Sequence, residues 1–187
     1  MAENRDKKDK HFPLFAHDNP LRRLFISPRK YCSLVKKDQT VADLGCGPGY
    51  FSIALAECVG VKGRVYAVDS DEKSIRAVER KAAKLKYHNI DAHASSAANL
   101  SFIEDGSVDF VLADGLLCCM APQTHQKAVS EIKRILKPKG KAFLGVAKGS
   151  MSYVDKAEWE EILSGFKVKQ RNKESLLKGR QALVLKN

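Results

Sequence analysis

The sequence has no long apolar run. The longest segment without a charged residue extends from Leu44 to Ala56, and it contains three glycines and a proline. A transmembrane helix needs about 20 mostly apolar residues, so no segment predicts a membrane span. The first ten residues alternate acidic and basic side chains without an apolar stretch, which is typical of neither a secretory nor a lipidation signal. We therefore expect a cytoplasmic protein.

Cysteine and histidine are too few and too scattered to predict a metal site. Five cysteines and five histidines are present, and no two cysteines have the C-x-x-C spacing of zinc or redox motifs. We expect reduced, mostly buried thiols, no metal, and surface or helix-capping roles for the histidines. The residues concerned are Cys32, Cys46, Cys58, Cys118, Cys119, His11, His17, His88, His93 and His125.

Acidic residues are in the minority. The chain of 187 residues carries a formal net charge of +11, but the excess is concentrated at its ends. Residues 1–40 hold 10 basic and 5 acidic side chains and residues 148–187 hold 9 and 5, whereas the segment between them holds 14 and 12. This distribution predicts a nearly neutral core with basic flanks rather than a nucleic-acid-binding domain.

The pattern from residue 40 onward alternates short apolar runs with longer amphipathic segments. Such alternation is typical of a parallel sheet with crossover helices. We predict an α/β fold, a Rossmann-like doubly wound sheet that is mostly parallel, with an antiparallel hairpin near the end of the chain. The predicted strands and helices are Thr40–Leu44, Arg64–Val68, Ile90–His93, Val108–Ala113, Lys141–Val146, Phe166–Gln170 and Ala182–Leu185, and Tyr50–Cys58, Asp71–Lys86, Thr124–Lys137 and Asp155–Leu163.

The N-terminal region predicts a tail followed by a helical lid. Residues 1–12 have little apolar surface to bury, so we expect a flexible tail of mixed charge, with Lys7 to Lys10 solvated. Asn19 and Ser27 each precede a proline, which is typical of a helix N-terminus, so two short helices are expected within about 19–36. Residues 13–187 then form a single domain.

The most specific motif is a glycine-rich turn between a buried strand and a helix. Val41–Leu44 leads into Gly45, Gly47 and Gly49, where the missing Cβ lets the backbone turn tightly and approach a ligand. The third glycine comes one residue earlier than in the dinucleotide fingerprint G-x-G-x-x-G. Asp43 stands two residues before the first glycine, and a buried carboxylate there repels a pyrophosphate but attracts a cation such as an ammonium group.

A second acidic residue follows the next predicted strand. Asp69 lies twenty residues beyond Gly49, at the carboxyl edge of the sheet, where open α/β sheets bind ligands. That position suits an acceptor for the two hydroxyls of a ribose. The alternative is that Asp69 only helps to cap the helix that begins at Asp71.

These motifs resemble those of class I S-adenosylmethionine-dependent methyltransferases, in particular the small type-11, UbiE-like group. Segments 104–110 and 134–140 also match turns of that group. The resemblance implies S-adenosyl-L-methionine as the cofactor and S-adenosyl-L-homocysteine as the product. Asp43 and the backbone of the glycine turn would hold the methionine part, and Asp69 would bind the ribose. The cofactor-binding residues that it implies are Asp43, Gly45, Cys46, Gly47, Gly49, Asp69, Ser70, Ser96, Ala97 and Asp114.

The resemblance places the acceptor site between the loop after the fourth strand and the predicted lid. Asp114 would orient the cofactor or attract an acceptor, or it caps a turn. Cys118 and Cys119 stand where related enzymes often have histidines, so no general base is evident. These thiols are expected to be structural, with a soft metalloid or thiophilic acceptor as the alternative. The acceptor candidates are Phe15, His17, Asn19, Arg22, Cys118 and Cys119, with Arg22 suited to an anionic acceptor.

The function expected from this pattern is methyl transfer to a small molecule by in-line displacement. An RNA or protein substrate is the first alternative because the ends of the chain are basic. Against it, residues 113–116 lack the D/N-P-P-Y pattern of base-amine methylation. A cofactor-binding protein without catalysis and an NAD-dependent reductase are the remaining alternatives. The oligomeric state and the acceptor atom stay open.

Overall fold

Seven strands form one sheet in the protein, whose computed structural model describes residues 7–10, 26–149, 152–172 and 179–187. The strands are β1 Thr40–Leu44, β2 Arg64–Asp69, β3 Ile90–Ala94, β4 Val108–Asp114, β5 Leu136–Gly145, β6 Lys167–Arg171 and β7 Gln181–Leu185. The α-helices of the described residues are α1 Ser52–Val59, α2 Glu72–Leu85, α3 His125–Ile135 and α4 Lys156–Ser164.

The strand order is β3-β2-β1-β4-β5-β7-β6. Strands β1 to β5 are parallel, whereas β7 runs antiparallel to both of its neighbours. The predicted fold class, including the antiparallel hairpin, is therefore confirmed. The order reverses between β1 and β4, and such a reversal opens a crevice at the carboxyl ends of the strands.

Alternate residues of the central strands feed two apolar clusters on opposite faces of the sheet. Val41 and Phe110 join one cluster with α1, while Ala42 and Val111 join the other with α3 and α4. Side chains alternate across a strand, so a sheet covered by helices on both faces needs apolar residues at consecutive positions. The last four residues of β1 are accordingly all buried, and Asp43 is the polar member of that run.

The predicted helical lid is only partly observed. Residues 26–36 form turns and a single 3-10 turn at Cys32–Leu34 rather than an α-helix beginning at Pro28. The expected helix near Pro20 lies outside the described residues, as do the acceptor candidates Phe15, His17, Asn19 and Arg22.

The expectation that all five thiols are reduced is wrong. Cys32 and Cys58 form a disulfide with an S–S distance of 2.06 Å, and it ties the 3-10 turn to the end of α1. The two cysteines are 26 residues apart, so only the packing of the N-terminal segment against α1 brings them together. Cys46, Cys118 and Cys119 are free.

No helix in the described ranges is both long and apolar enough to cross a bilayer. In the same ranges no three histidine, cysteine or acidic residues come together in a way that would hold a metal ion.

Candidate active site at the carboxyl edge of the sheet

A cleft of about 90 Å³ opens at the carboxyl ends of β1 to β4. It is lined by the glycine turn after β1 and by residues that follow β2, β3 and β4. Of the predicted cofactor residues, the cleft is lined by Gly45, Gly47, Asp69, Ser70, Ser96 and Ala97. Asp43, Cys46, Gly49 and Asp114 are not among its lining residues.

The glycine turn needs glycine at several positions, for different reasons. Gly45, Gly47 and Gly49 all have positive φ, between 52° and 81°, which side-chain-bearing residues rarely adopt. A Cβ on Gly45 would lie 3.1 Å from the side chain of Leu116, which also lines the cleft. A Cβ on Gly49 would lie 3.0 Å from Val78 of α2. Gly49 therefore allows close packing of α2, and the ligand approach expected from the sequence stays a prediction.

Asp69 is fixed at the end of β2 by two backbone donors. Its Oδ2 accepts a hydrogen bond from the Gly47 N–H at 2.8 Å, and its Oδ1 accepts one from the Asp71 N–H at 2.9 Å. A carboxylate oxygen has capacity for a second donor, so each oxygen can still accept a hydroxyl from the cleft. The cap of α2 is Asp71, whose side chain accepts from the Lys73 and Ser74 N–H groups. The capping role proposed as an alternative for Asp69 thus belongs mainly to Asp71.

Asp43 is buried beneath the turn, with 3% of its surface exposed. Its Oδ2 accepts a hydrogen bond from the Ser52 hydroxyl at 2.5 Å. The pKa of Asp43 is raised to about 7, mainly by burial and also by the charges of Asp69 and Asp114, while the Ser52 hydrogen bond opposes these effects. Near neutral pH this carboxyl group therefore changes charge in response to small changes in its surroundings.

The segment after β3 forms the far end of the cleft. Ser96 and Ala97 line it, and the Ser96 Oγ accepts a hydrogen bond from the Ala98 N–H at 3.2 Å. Asp69 is directly adjacent to this segment, because its carbonyl accepts from the Ser95 N–H at 3.0 Å. The part of the cleft beside Ala97 therefore offers hydroxyl and backbone groups to a ligand.

The two cysteines after β4 occupy different environments. Cys119 lines the cleft, whereas Cys118 is buried and its thiol donates to the Gly115 carbonyl at 3.2 Å. The two Sγ atoms are 3.7 Å apart. A hydrogen bond from Cys119 lowers the pKa of Cys118 to about 7, and the same bond raises the pKa of Cys119. The thiol that faces the cleft is thus held protonated and cannot act as a base.

Asp114 faces away from the cleft, toward a tyrosine that sequence reasoning missed. The Tyr31 hydroxyl donates to Asp114 Oδ2, and Lys30 Nζ lies 3.6 Å from the same oxygen. A Cβ on Gly145 of β5 would lie 2.1 Å from Asp114 Oδ1, so glycine is required to leave space for the carboxylate. No local motif marks Tyr31, because its partner lies 83 residues away.

The described part of the N-terminal segment reaches the rim of the cleft. Lys7 and Lys8 are exposed, as expected for a solvated tail, whereas Asp9 and Lys10 are half-buried. Asp9 and Lys10 both line the cleft. The Lys10 N–H donates to the Cys119 carbonyl at 2.7 Å, and Asp9 Oδ1 accepts from the Ala121 N–H at 2.6 Å. These backbone contacts attach the segment to the loop after β4. Their pairing depends on residues more than 100 positions apart, which explains why composition alone suggested a free tail.

His125 is also a correction, because it is fully buried rather than at the surface. Its Nδ1 lies 2.6 Å from Glu158 Oε1 and its Nε2 lies 3.0 Å from the Met120 carbonyl. Met120 lines the cleft, so His125 connects the cleft wall to α4. Its role is to hold the loop after β4 in position.

Comparisons with known proteins agree with this geometry. The match to the methyltransferase domain covers residues 41–140. A demethylmenaquinone methyltransferase of Geobacillus stearothermophilus is 33% identical over 106 residues, which are 57% of this chain and 44% of that protein. A 23S rRNA (uracil(1939)-C(5))-methyltransferase of Acinetobacter baylyi is 40% identical over 65 residues, covering 34% of this chain and 14% of that one. The chain thus spans less than half the length of these curated relatives.

The fold has a close counterpart among solved structures. A SAM-dependent methyltransferase from Aquifex aeolicus superimposes with a TM-score of 0.79 at 24% identity, covering 94% of this chain and 99% of that one. The matching domain occupies more than half of the present chain. The glycine turn, the acidic residue at the end of β2 and the strand order all lie within or around it. The chain therefore belongs to the methyltransferase-domain family, and its fold is the one seen in the SAM-dependent methyltransferase from Aquifex aeolicus.

Proposed function

We propose that this chain transfers a methyl group from S-adenosylmethionine to a small-molecule acceptor. The observation that carries the proposal is the position of Asp69, fixed by two backbone donors with unused acceptor capacity directed at the cleft. The narrowness of the cleft, with Asp9 and Lys10 at its rim, favours a small acceptor. The relationship to a demethylmenaquinone methyltransferase supports the same substrate class.

The described residues fit the cofactor in its three parts. Asp69 would accept hydrogen bonds from the ribose hydroxyls, and Ser96 with Ala97 would contact the adenine. The glycine turn offers open backbone to the methionine part. Asp43 lies beneath this turn, so its negative form would favour an ammonium group above it.

The bound cofactor supplies an electrophilic methyl group on a sulfonium. The protein's contribution to in-line displacement is alignment and the exclusion of water. Leu116 and Met120 provide apolar surface in the cleft, and Asp9 and Lys10 narrow its opening. The transition state disperses positive charge, and the apolar surface of Leu116 and Met120 does not oppose that change.

The described lining residues provide little general-base assistance for removing a proton from the acceptor. No histidine is among the described lining residues, and the Cys119 thiol stays protonated. General base catalysis requires a group within hydrogen-bond reach and with a pKa near the working pH. The described lining thus offers no histidine or cysteine base, and we favour an acceptor whose attack needs no prior removal of a proton.

Calorimetry tests the cofactor site directly. Asp69→Ala is expected to weaken S-adenosylhomocysteine binding severely, because the ribose hydroxyls lose their acceptor. Asp91→Ala, which removes a carboxylate of β3 outside the cleft, is the matched control and should bind like the parent chain. Absence of S-adenosylhomocysteine binding by the parent chain would exclude the proposal.

The acceptor class is tested with radiolabelled S-adenosylmethionine and a fractionated cell extract. Label in the low-molecular-mass fraction that disappears with Asp69→Ala supports a small-molecule acceptor. Label in nuclease-sensitive material instead would support the RNA alternative, for which the Acinetobacter baylyi relative is the specific observation. Cofactor binding without label in any fraction would support a binding protein without catalysis.

A further inference from the structure

A second recess, at the amino edge of the sheet, is lined by lysines. Its volume is about 140 Å³, and it lies between the turn that opens β5 and the segment before β1. Four lysines and one acidic residue are among its described lining residues: Lys36, Lys137, Lys139, Lys141 and Asp109. This recess is at the opposite end of the strands from the cofactor cleft.

The acidic residue of the recess, Asp109, already has two partners. Asp109 Oδ2 accepts from the Thr40 N–H at 2.9 Å and lies 2.8 Å from Lys137 Nζ. Within the described ranges, no carboxylate pairs with the other three lysines of the recess, Lys36, Lys139 and Lys141. Like charges in one recess repel each other, so a bound anion would stabilise this arrangement.

The positive charge continues along the edge of the sheet. The register pairs Thr40 with Arg64, and it connects Lys141 through Leu185 to Lys167. Strands lie about 4.8 Å apart, so the five steps from β2 to β6 cover about 24 Å. The exposed Lys37 and Lys62 flank the same edge, and the described carboxylates near it are Asp38, Asp109, Glu104 and Asp105, the last of which pairs with Arg134. A row of that length matches several successive phosphates of a nucleic acid strand.

The shape and composition of this edge favour a strand of phosphates over a lipid surface. Lysines that line a recess can surround a narrow chain, whereas a flat bilayer would not enter it. Membrane-surface binding also needs apolar side chains that insert between lipids. The large apolar side chains that are well exposed in the described ranges are Val61 and Leu85, which do not line the recess.

We propose that the amino edge, centred on Lys36, Lys139 and Lys141, binds the phosphodiester backbone of single-stranded nucleic acid without reading its sequence. The site is separate from the cofactor cleft, so binding here does not depend on methyl transfer. The phosphates would lie against the recess and continue along the row toward Arg64 or Lys167.

The test uses the full chain and fluorescence anisotropy with labelled 20-nucleotide RNA and DNA of mixed sequence. Each phosphate contact to single strands contributes about −0.7 to the slope of log affinity against log salt, so three contacts predict a slope of about −2. The triple variant Lys36→Gln, Lys139→Gln, Lys141→Gln should bind at least about tenfold more weakly and lose most of that slope. Comparing RNA with DNA shows which strand the edge prefers.

The matched control is Lys73→Gln, Arg80→Gln, Lys84→Gln on α2, which removes the same charge from an exposed helix face. It should retain the parent affinity within about twofold. Equal weakening by both triple variants, or no binding by the parent chain, would overturn the proposal. So would lysine-dependent binding to phosphatidylserine vesicles without nucleic acid binding.

Folding is checked by S-adenosylhomocysteine binding, which the amino-edge variants should retain. If the triple variant does not fold, the double variant Lys36→Gln, Lys139→Gln affects only exposed residues and is expected to lower the slope by about 1.4. An unchanged slope in the folded double variant contradicts the assigned site.

Discussion

The two edges of the sheet carry opposite charge although the same strands build both. The carboxyl edge holds carboxylates close enough that Asp69 and Asp114 raise the pKa of Asp43. The amino edge holds three lysines, Lys36, Lys139 and Lys141, with which no described carboxylate pairs. The middle of each central strand must be apolar because helices cover both faces, but its two ends are free of that constraint. Charge can therefore be set separately at each end, and a binding site at one edge need not disturb the other.

The pH dependence of stability is the largest expected difference between the edges. Burial raises the pKa of Asp43 from its ordinary value of 3.8 to about 7, so the unfolded chain loses this proton before the folded chain does. Stability therefore falls as pH rises from about 4 to 7 and levels off above, by about 4 kcal/mol as an upper limit. Urea denaturation should show this slope, and Asp43→Asn should flatten it. Asp91→Asn is the control, and parallel curves for all three proteins would contradict the assignment.

Loss of Asp69 is the next largest effect. A hydrogen bond to a charged group contributes about 1.5–3 kcal/mol, so the loss of two in Asp69→Ala predicts an affinity for S-adenosylhomocysteine at least about 100-fold lower. Calorimetry measures it directly. A decrease of only a few-fold would place the ribose elsewhere in the cleft.

Glycine substitutions at the two ends of α1 are expected to differ moderately. Gly49→Ala forces a left-handed residue at φ 81° and places its Cβ 3.0 Å from Val78. Gly60→Ala has a similar φ of 74°, but its Cβ meets nothing within 4 Å. Positive φ costs about 1–3 kcal/mol in either variant, and Gly60, with ψ 178°, lies in a region almost limited to glycine; the crowding cost of about 1 kcal/mol arises only at Gly49. Equal losses of unfolding free energy in the two variants would show that α2 shifts to accommodate the added methyl group.

The smallest expected effect is that of amino-edge substitutions on cofactor affinity at the carboxyl edge. The triple variant of Lys36, Lys139 and Lys141 should change S-adenosylhomocysteine affinity by less than about twofold, because exposed charges that far apart are screened by salt. Calorimetry at physiological and at low salt checks this. A large change at physiological salt would mean that the edges are coupled.

Local motifs made part of the site predictable from sequence. The glycine turn and Asp69 are separated by a fixed strand-helix-strand unit, so their spacing along the chain reports their spacing in space. The same holds for the parallel strands, whose apolar runs are continuous. Whether each predicted cofactor residue contacts the cofactor stays a prediction, although the fold places six of the ten at the cleft.

Contacts between distant segments could not be predicted. The attachment of Asp9 and Lys10 to the loop after β4, and the Tyr31–Asp114 pair, depend on packing that no spacing records. The distribution of charge along the sequence did not predict the lysine cluster, because that cluster also depends on contacts between distant segments. The middle of the sequence is nearly neutral overall, yet the sheet collects Lys137, Lys139 and Lys141 with Lys36 at one edge.

The position of β7 between β5 and β6 has a consequence for how the protein is made. β6 precedes β7 in the chain, yet in the described sheet it hydrogen-bonds only to β7. Until β7 has docked, β6 therefore has no strand partner and β5 has an open edge. Unpaired edges attract other chains. The folding polypeptide is thus most exposed to misassembly before β7 pairs with both strands.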